Sequence, residues 1–216
     1  MNKYYMKIFL VFIIVFLLLF GIKAEASLPL AGRLIIVDAG HGGLDPGTMY
    51  KDIYEKDINL KIAKYLEEEL SKFGAGVLLV RDSDEDLSGG VKDHRKKTDF
   101  DNRIKLINEC EGDMYLSIHL NYLTNSAYYG AQVFYNKNNE KLANKIQQFM
   151  NDNLEGKREI KKIPSTTYMY DKLNIPGVLI ECGFLSNVKE RNLLITETYQ
   201  RKLAQVIAQA LVKYYS

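Results

Sequence analysis

Three polar segments of this sequence each follow a short apolar run and carry side chains that could take part in hydrolysis. The segments DAGHGG, SIHLN and IECGF centre on His41, His119 and Glu181. A further carboxylate, Glu55, opens the first long amphipathic stretch. Because glycines flank His41, the backbone can turn sharply there and a ligand can approach the imidazole closely.

Two imidazoles and two carboxylates suit a catalytic zinc ion. Two histidines and one carboxylate, with one open position, form a common zinc shell, and a second carboxylate can act as general base. Such a set hydrolyses an amide without a covalent intermediate. Structural explanations remain open for each motif: a histidine can be satisfied locally, a glutamate can favour a helix start, and the glycine-rich stretch can form a tight turn or an anion nest. The third histidine, His94, lies in a polar basic loop and is assigned no metal role.

The apolar periodicity predicts alternating strands and helices. Strands are expected at 33–38, 77–80, 114–118, 131–135 and 177–180, and helices at 57–72, 99–110, 139–153 and 196–215. Strands separated by helices imply βαβ crossovers, so we expect an α/β fold: a single three-layer domain with a twisted, mostly parallel β-sheet and helices on both faces. Functional residues of such sheets gather just beyond the carboxyl ends of strands, which would bring the three polar segments together.

The composition fits one packed catalytic body. Of 216 residues, 47% are hydrophobic and 26% are charged. The net charge of +2 resides in the first 26 residues, since residues 27–216 carry 26 basic and 26 acidic side chains. This balance gives no argument for nucleic-acid binding, and the basic run Lys92–Lys97 is interpreted as a solvated loop. Cys110 and Cys182 are expected to be buried free thiols, with a disulfide as the alternative.

The N-terminus has the pattern of an export signal. Lys3 and Lys7 precede an uncharged apolar run, and the small-residue pattern Ala24-Glu25-Ala26 follows it. We therefore divide the chain into a signal peptide or retained membrane anchor at residues 1–26 and a catalytic domain at residues 27–216. Either alternative places the catalytic domain outside the cytoplasmic membrane, with the N-terminal segment as its contact with the membrane.

In this order, DAGHGG, YEKDINL, SIHLN and IECGFLSN resemble the motifs of the zinc-dependent N-acetylmuramoyl-L-alanine amidases of the type-3 amidase family. The resemblance runs from about Arg33 to the C-terminus. It implies that the chain cuts the amide bond between the lactyl group of N-acetylmuramic acid and L-alanine in peptidoglycan. It further implies that His41, Glu55 and His119 bind Zn²⁺ and that Glu181 is the catalytic base.

Other residues near the motifs have less specific assignments. The resemblance suggests that Asn121 supports the site or contacts substrate. Arg81 and Arg103 have two interpretations each: they hold a carboxylate of the peptide stem, or they form ion pairs. The aspartates considered for these pairs are Asp82, Asp84 and Asp101.

Two further segments, GAQVFYNKNNEKLA and IPSTTYMYDKLNIPGVLIE, resemble family members that act in sporulation. That resemblance implies a spore-cortex substrate outside the cytoplasmic membrane and a product that leads to muramic-δ-lactam, which germination enzymes recognise. Vegetative wall turnover is the alternative. Two other classes stay open: a zinc carboxypeptidase or endopeptidase of the peptide stem, and a non-catalytic wall-binding protein. Because no wall-binding repeat is recognised, an accessory or targeting protein is also considered.

Overall fold

The computed structural model describes Met6, residues 28–164 and residues 166–216. The predicted export segment, residues 1–26, lies outside this part of the chain except for Met6, so that assignment stays a prediction. No helix in the described part of the chain combines the length and apolar character needed to cross a membrane.

Within the described residues the chain forms eight strands, five α-helices and one 3₁₀ turn. In chain order they are β1 (Leu34–Ala39), β2 (Met49–Tyr50), β3 (Ile53–Tyr54), α1 (Glu55–Lys72), β4 (Gly76–Leu79), α2 (Arg95–Glu109), β5 (Met114–Asn121), β6 (Gln132–Tyr135), α3 (Glu140–Asn153), β7 (Lys161–Lys162), the 3₁₀ turn (Tyr170–Lys172), β8 (Gly177–Phe184), α4 (Val188–Leu194) and α5 (Glu197–Tyr215).

Six of these strands form one sheet in the order β4-β1-β5-β8-β6-β7, and β2 and β3 form a separate small hairpin. The neighbours β4, β1, β5 and β8 run parallel, β6 is antiparallel to β8, and β7 is parallel to β6. The predicted mostly parallel sheet is therefore confirmed. Its antiparallel part begins at β6, on the far side of β8 from β5.

Alternate residues of the central strands pack on opposite faces of the sheet. In β1, Ile35 and Val37 belong to the core beneath α1, α3 and α5, whereas Ile36 belongs to a smaller cluster with Ile107 of α2. Ile163, Met169, Tyr170 and Leu173 also belong to this smaller cluster. Each fully buried aliphatic side chain of this kind contributes roughly 1.5–3 kcal/mol by leaving water. The two cores make the predicted three layers, with helices on both faces.

The strands that carry the candidate residues are longer than the apolar runs indicated. Strand β5 extends to Asn121 and β8 to Phe184, so His119 and Glu181 lie within strands rather than beyond their ends. The reason is that β5 and β8 continue to pair with each other after β1 has ended at Ala39. A register shift between His119 and Asn121 marks where this extension becomes irregular.

The basic run at 92–97 is only partly the solvated loop that we expected. Helix α2 begins at Arg95, four residues before the predicted start at residue 99, and includes the second half of the run. The guanidinium of Arg95 pairs with Asp86, and Lys97 forms an ion pair of 2.6 Å with Asp101. These partners hold the first turn of the helix in place.

Both cysteines are free thiols, as predicted. Cys182 is fully buried in β8, whereas Cys110 is only half-buried at the end of α2. Phe184 is also fully buried in β8.

Candidate metal and catalytic site

His41 lies in a turn that the flanking glycines make possible. The backbone has positive φ angles at three successive residues, 64° at His41, 135° at Gly42 and 54° at Gly43. Two backbone hydrogen bonds between Gly42 and Asp45, of 3.0 and 2.9 Å, close the turn. The Asp45 carboxylate then reaches back to His41, with Oδ2 3.1 Å from Nδ1. This contact fixes the imidazole and leaves its Nε2 facing Glu55.

Glu55 is the first residue of α1, and its side chain points back across the strand ends. It is buried, and backbone N–H groups hold both carboxylate oxygens. Leu120 donates to Oε1 at 2.9 Å and Thr48 donates to Oε2 at 2.7 Å. The side-chain amide of Asn59 also lies 3.3 Å from Oε1. A carboxylate held from so many sides is fixed before any ligand binds.

His119 presents its two ring nitrogens to different partners. Nδ1 lies 3.0 Å from Glu55 Oε1, and Nε2 lies 3.4 Å from the Tyr170 hydroxyl. The rings of His41 and His119 meet edge to face, with centroids 4.9 Å apart. The close approach of the ring requires a glycine at residue 40, because a Cβ there would lie 2.2 Å from His119 Cε1 and Nε2.

One ligand atom from each of His41, Glu55 and His119 lies within 4.8 Å of the others, so the three residues form a possible metal site. The His41 Nε2 to Glu55 Oε1 distance is 3.3 Å, and the corresponding distance from His119 Nδ1 is 3.0 Å. Tetrahedral coordination with bonds of about 2.0–2.1 Å needs ligand atoms roughly 3.3 Å apart. Both distances to Glu55 therefore match the spacing of ligand atoms around a small tetrahedral cation.

The charges of these three side chains depend strongly on one another. Burial alone would lower the pKa of His41, but hydrogen bonds with Asp45 and Glu55 outweigh it and raise the pKa to about 9. Burial alone would raise the pKa of Glu55, but hydrogen bonds with His119 and His41 hold it well below its usual range. Glu55 is thus kept as a carboxylate, the state that binds a cation.

Glu181 lies directly beside this cluster. In the parallel ladder it is the register partner of His119, so the two side chains project from the same face of the sheet. Its Oε2 is buried and has no hydrogen-bond partner among the described residues. Burial raises the pKa of Glu181 to about 7; nearby His119 opposes the shift and Glu55 adds to it. A carboxyl group with such a pKa can both accept and donate a proton near neutral pH.

Glu181, His41 and His119 line one cavity of about 290 Å³, which we call the site cavity. Phe100 of α2 and the segment 167–170 form its other walls. The cavity opens at the carboxyl end of the parallel strands, where the fold class places functional residues.

Arg103 is buried beneath the His41 turn. It forms ion pairs of 2.5 Å with Asp38 and 3.0 Å with Asp99, and it donates to the His41 backbone carbonyl at 2.7 Å. These contacts support the His41 turn from its buried side. Of the two interpretations from sequence, Arg103 thus forms ion pairs, with Asp38 and Asp99 in place of the aspartates considered. Contact with a stem carboxylate stays a prediction.

Arg81 is also buried, and its guanidinium donates only to backbone carbonyls among the described residues. The acceptors are Ala39, Gly40, Lys56 and Ser83, at 2.9, 3.0, 2.8 and 3.0 Å. Arg81 forms no ion pair within the described part of the chain, so one of its two interpretations from sequence is wrong there. The other, contact with a stem carboxylate, stays a prediction. Arg81 ties the end of β1 to the start of α1.

Tyr170 links His119 to this buried network, and sequence reasoning did not find it. Its hydroxyl lies 3.1 Å from Ser117 Oγ, which in turn donates to Asp38 Oδ2 at 2.9 Å. The sequence analysis did not identify Asp45 either, although its position four residues after His41 could have suggested a contact. Nothing in the sequence around Tyr170 indicates that its hydroxyl meets a histidine, because the two residues are 51 positions apart.

Asn121 ends β5 and is half-buried, and its backbone carbonyl accepts a hydrogen bond of 2.9 Å from Leu185. This bond joins β5 to the segment after β8. The predicted role of the Asn121 side chain stays a prediction.

This chain is similar to known proteins over most of its length. A family model described as N-acetylmuramoyl-L-alanine amidase matches residues 35–213. The germination-specific N-acetylmuramoyl-L-alanine amidase of Bacillus subtilis (strain 168) is 40% identical over 196 residues, which cover 88% of this chain and 83% of the relative.

Two solved structures share the fold over nearly their whole lengths. The CwlD amidase from Clostridioides difficile, solved in complex with the GerS lipoprotein, gives a TM-score of 0.79 at 40% identity, covering 84% of this chain and 98% of that one. The N-acetylmuramoyl-L-alanine amidase from Clostridium difficile 630 gives 0.74 at 32% identity, covering 86% and 97%. The chain therefore belongs to the N-acetylmuramoyl-L-alanine amidase family and is a hydrolase of the amide bond that joins the peptide stem to the glycan of peptidoglycan.

Proposed function

We propose that this amidase depends on zinc, that His41, Glu55 and His119 bind the ion, and that Glu181 moves the proton during hydrolysis. The observation that carries the proposal is the meeting of two imidazoles and one carboxylate beside Glu181, whose buried Oε2 has no hydrogen-bond partner in the described part of the chain. Two nitrogen donors and one oxygen donor that leave one position open suit catalytic zinc better than calcium or magnesium, which prefer all-oxygen sites.

Neighbouring residues orient the two proposed histidine ligands. Asp45 holds Nδ1 of His41 and Tyr170 faces Nε2 of His119, so the other nitrogen of each ring is directed at Glu55. Partners of this kind fix the tautomer and orientation of ligating histidines. Zinc, when bound, supplies Lewis acidity that lowers the pKa of a water molecule and polarises an amide carbonyl.

Glu181 then performs both proton transfers. Its carboxylate accepts a proton as the water oxygen bonds to the lactyl carbonyl carbon, and it returns that proton to the alanine nitrogen as the C–N bond breaks. The products are the lactyl carboxylate on the glycan and a stem with a free N-terminal amine. A pKa near 7 suits both roles because the group changes protonation state twice in each turnover.

We further propose that the enzyme acts outside the cytoplasmic membrane on spore cortex, as the step that precedes muramic-δ-lactam formation. The similarity to a relative named germination-specific supports this setting, and the predicted export segment at residues 1–26 agrees with it. A deletion strain whose cortex still contains muramic-δ-lactam would favour vegetative wall turnover instead.

An accessory protein belongs to the same proposal. The similar C. difficile amidase was solved in complex with a lipoprotein, which supports a protein partner for this chain as well. Co-purification from sporulating cells tests the idea, and recovery of the amidase alone would count against it.

The decisive experiment is mass spectrometry of peptidoglycan digested by residues 27–216, with zinc and with chelator. We expect intact stems that begin with L-alanine, no product after chelation, and recovery when zinc is added back. Cleavage inside the stem would identify a carboxypeptidase or endopeptidase, and zinc-independent binding without product would identify a wall-binding protein.

Matched variants separate the proposed roles. Glu181→Gln should retain zinc and lose turnover, whereas His41→Ala and His119→Ala should lose zinc and activity together. Glu109→Gln, which changes an exposed glutamate at the end of α2, is the control and should behave as wild type. Near-normal turnover by Glu181→Gln would refute the role of that residue.

A further inference from the structure

Two aromatic rings form part of the wall of the site cavity. Phe100 and Tyr168 line the cavity together with His41 and Glu181, and their ring centroids lie 6.4 Å apart. Phe100 comes from α2, whereas Tyr168 precedes the 3₁₀ turn, so two separate segments converge here.

Three lysine ammonium groups lie over these rings. Lys172 Nζ is 3.6 Å from the centroid of the Tyr168 ring, Lys97 Nζ is 5.5 Å from the same ring, and Lys96 Nζ is 5.8 Å from the Phe100 ring. The side chains of Lys96 and Lys97 are 59% and 60% exposed. We call these three lysines, with the two rings beneath them, the lysine rim. Aromatic faces attract ammonium groups and keep them near the cavity without neutralising their charge.

The lysine rim is close to the candidate metal ligands. Lys96 Nζ lies 3.4 Å from Asp45 Oδ2, and that oxygen lies 3.1 Å from His41 Nδ1. Only one carboxylate therefore separates the rim from a proposed ligand.

The carboxylates at the rim are already engaged. Asp45 contacts His41, and Asp101 accepts from both Lys97 and the Tyr168 hydroxyl at 2.6 Å. Lys172 has no carboxylate within ion-pair distance anywhere in residues 28–164 or 166–216. The rim therefore retains positive charge, and that charge lies over two rings that line the site cavity.

We propose that the lysine rim binds the carboxylates of the peptide stem and thereby places the stem, rather than the glycan, on this side of the scissile amide. The inference rests on the proposed function and names how that same site recognises its substrate. In peptidoglycan the second stem residue is a glutamate linked through its side chain, so its α-carboxylate is free. Two residues of extended chain span about 7 Å, which is the scale of the contacts from His41 to Lys96. The N-acetylated sugars carry no comparable charge, so opposite charge distinguishes the two parts of the substrate.

The test compares two soluble substrates with the zinc-loaded full chain: a muramyl peptide with free stem carboxylates and the same compound with those carboxylates amidated. The variant Lys96→Gln/Lys172→Gln removes two rim charges. We expect roughly a fivefold lower kcat/KM on the acidic substrate, expressed mainly in KM, and less than a twofold change on the amidated one. The matched control is Lys141→Gln/Lys145→Gln, which removes the same charge from exposed positions on α3, across the sheet from the rim.

Salt and binding provide independent measurements. Raising ionic strength should weaken turnover of the acidic substrate by wild type more than by the rim variant, because exposed charges are screened. The inactive Glu181→Gln enzyme should bind the acidic peptide more tightly than the amidated peptide, and adding the two rim substitutions should abolish that preference.

The outcomes separate this inference from the proposed function. Equal losses of kcat/KM on both substrates would overturn the proposed binding of stem carboxylates by the lysine rim. A preference for the acidic substrate that persists without the lysines would overturn it as well. If the binding assay shows a preference for the acidic peptide but wild type releases no stems, the role of the lysine rim is supported and the proposed reaction is refuted.

Discussion

Replacing Glu181 by glutamine should stabilise the metal-free protein, and the gain should grow with pH. The carboxylate has a buried oxygen without a hydrogen-bond partner, and burial raises its pKa from 4.5 to about 7. Folding must therefore either protonate this group or bury its charge. Glutamine has nearly the same shape and carries no charge at any pH.

The sign and size of the effect follow from the two pKa values. Below about pH 4.5 the Glu181 carboxyl is protonated in both the folded and unfolded states, so it does not lower the free energy of unfolding. As pH rises toward 7 the unfolded chain releases the proton more readily, and the free energy of unfolding falls. Above pH 7 the destabilisation reaches its full size. The folded and unfolded pKa values differ by about 2.5, which corresponds to about 3 kcal/mol. We expect a gain from Glu181→Gln of about 3 kcal/mol at pH 8 and less than about 1 kcal/mol at pH 5.

Urea unfolding of chelator-treated wild type and Glu181→Gln at pH 5 and pH 8 measures this difference. Comparing the two proteins at each pH cancels the titration of the groups that they share. Glu109→Gln is again the control and should show no pH-dependent gain. Zinc should reduce the gain at pH 8, because a nearby cation favours the carboxylate. A gain in the free energy of unfolding of equal size at both pH values would refute burial of the Glu181 carboxylate as the cause. A loss at pH 8 would refute it as well.

Three other substitutions test the surroundings of the site. Tyr170→Phe should weaken zinc binding roughly tenfold in competition with a chromophoric chelator, whereas Tyr115→Phe, which removes a nearby buried hydroxyl without a histidine contact, should not. Gly40→Ala should displace the His119 ring and lose zinc while the protein still folds, as circular dichroism and the same competition would show; unchanged zinc affinity would contradict the contact. Arg103→Met should lower the free energy of unfolding by about 3–5 kcal/mol, because it leaves two buried carboxylates without their positively charged partner, and a loss below about 1 kcal/mol in urea would contradict that.

Much of the fold could be predicted because its signal is local. Apolar runs and helical periodicity identified five strands of the sheet and the four longest helices. Helix α4 and strands β2, β3 and β7 span only two to seven residues, too few for a period to be visible. The extensions of β5 and β8 were missed for a different reason. His119 and Glu181 are polar residues that end an apolar run, but pairing between the two strands continues through them.

The candidate ligands could be predicted because each is embedded in a short motif with its own local constraint. His41 needs the glycine-rich turn, and Glu55 needs a helix start. Their partners could not be predicted in the same way. The contact of Tyr170 with His119 joins residues 51 positions apart, and it depends on the path of the chain across the sheet.

Both buried arginines donate to backbone carbonyls around the His41 turn. The carbonyl oxygens of residues 39–41 need hydrogen-bond donors because they lie away from water. A guanidinium offers five donors in one plane, so Arg81 can serve Ala39 and Gly40 while Arg103 serves Ala39 and His41. A lysine in either place offers three donors from a single nitrogen and could not reach the same set of acceptors. A sequence does not show which backbone carbonyls need a donor, so an arginine that serves them cannot be distinguished from other arginines by sequence alone. The position of His41 is therefore determined by its buried backbone acceptors as much as by the glycines beside it.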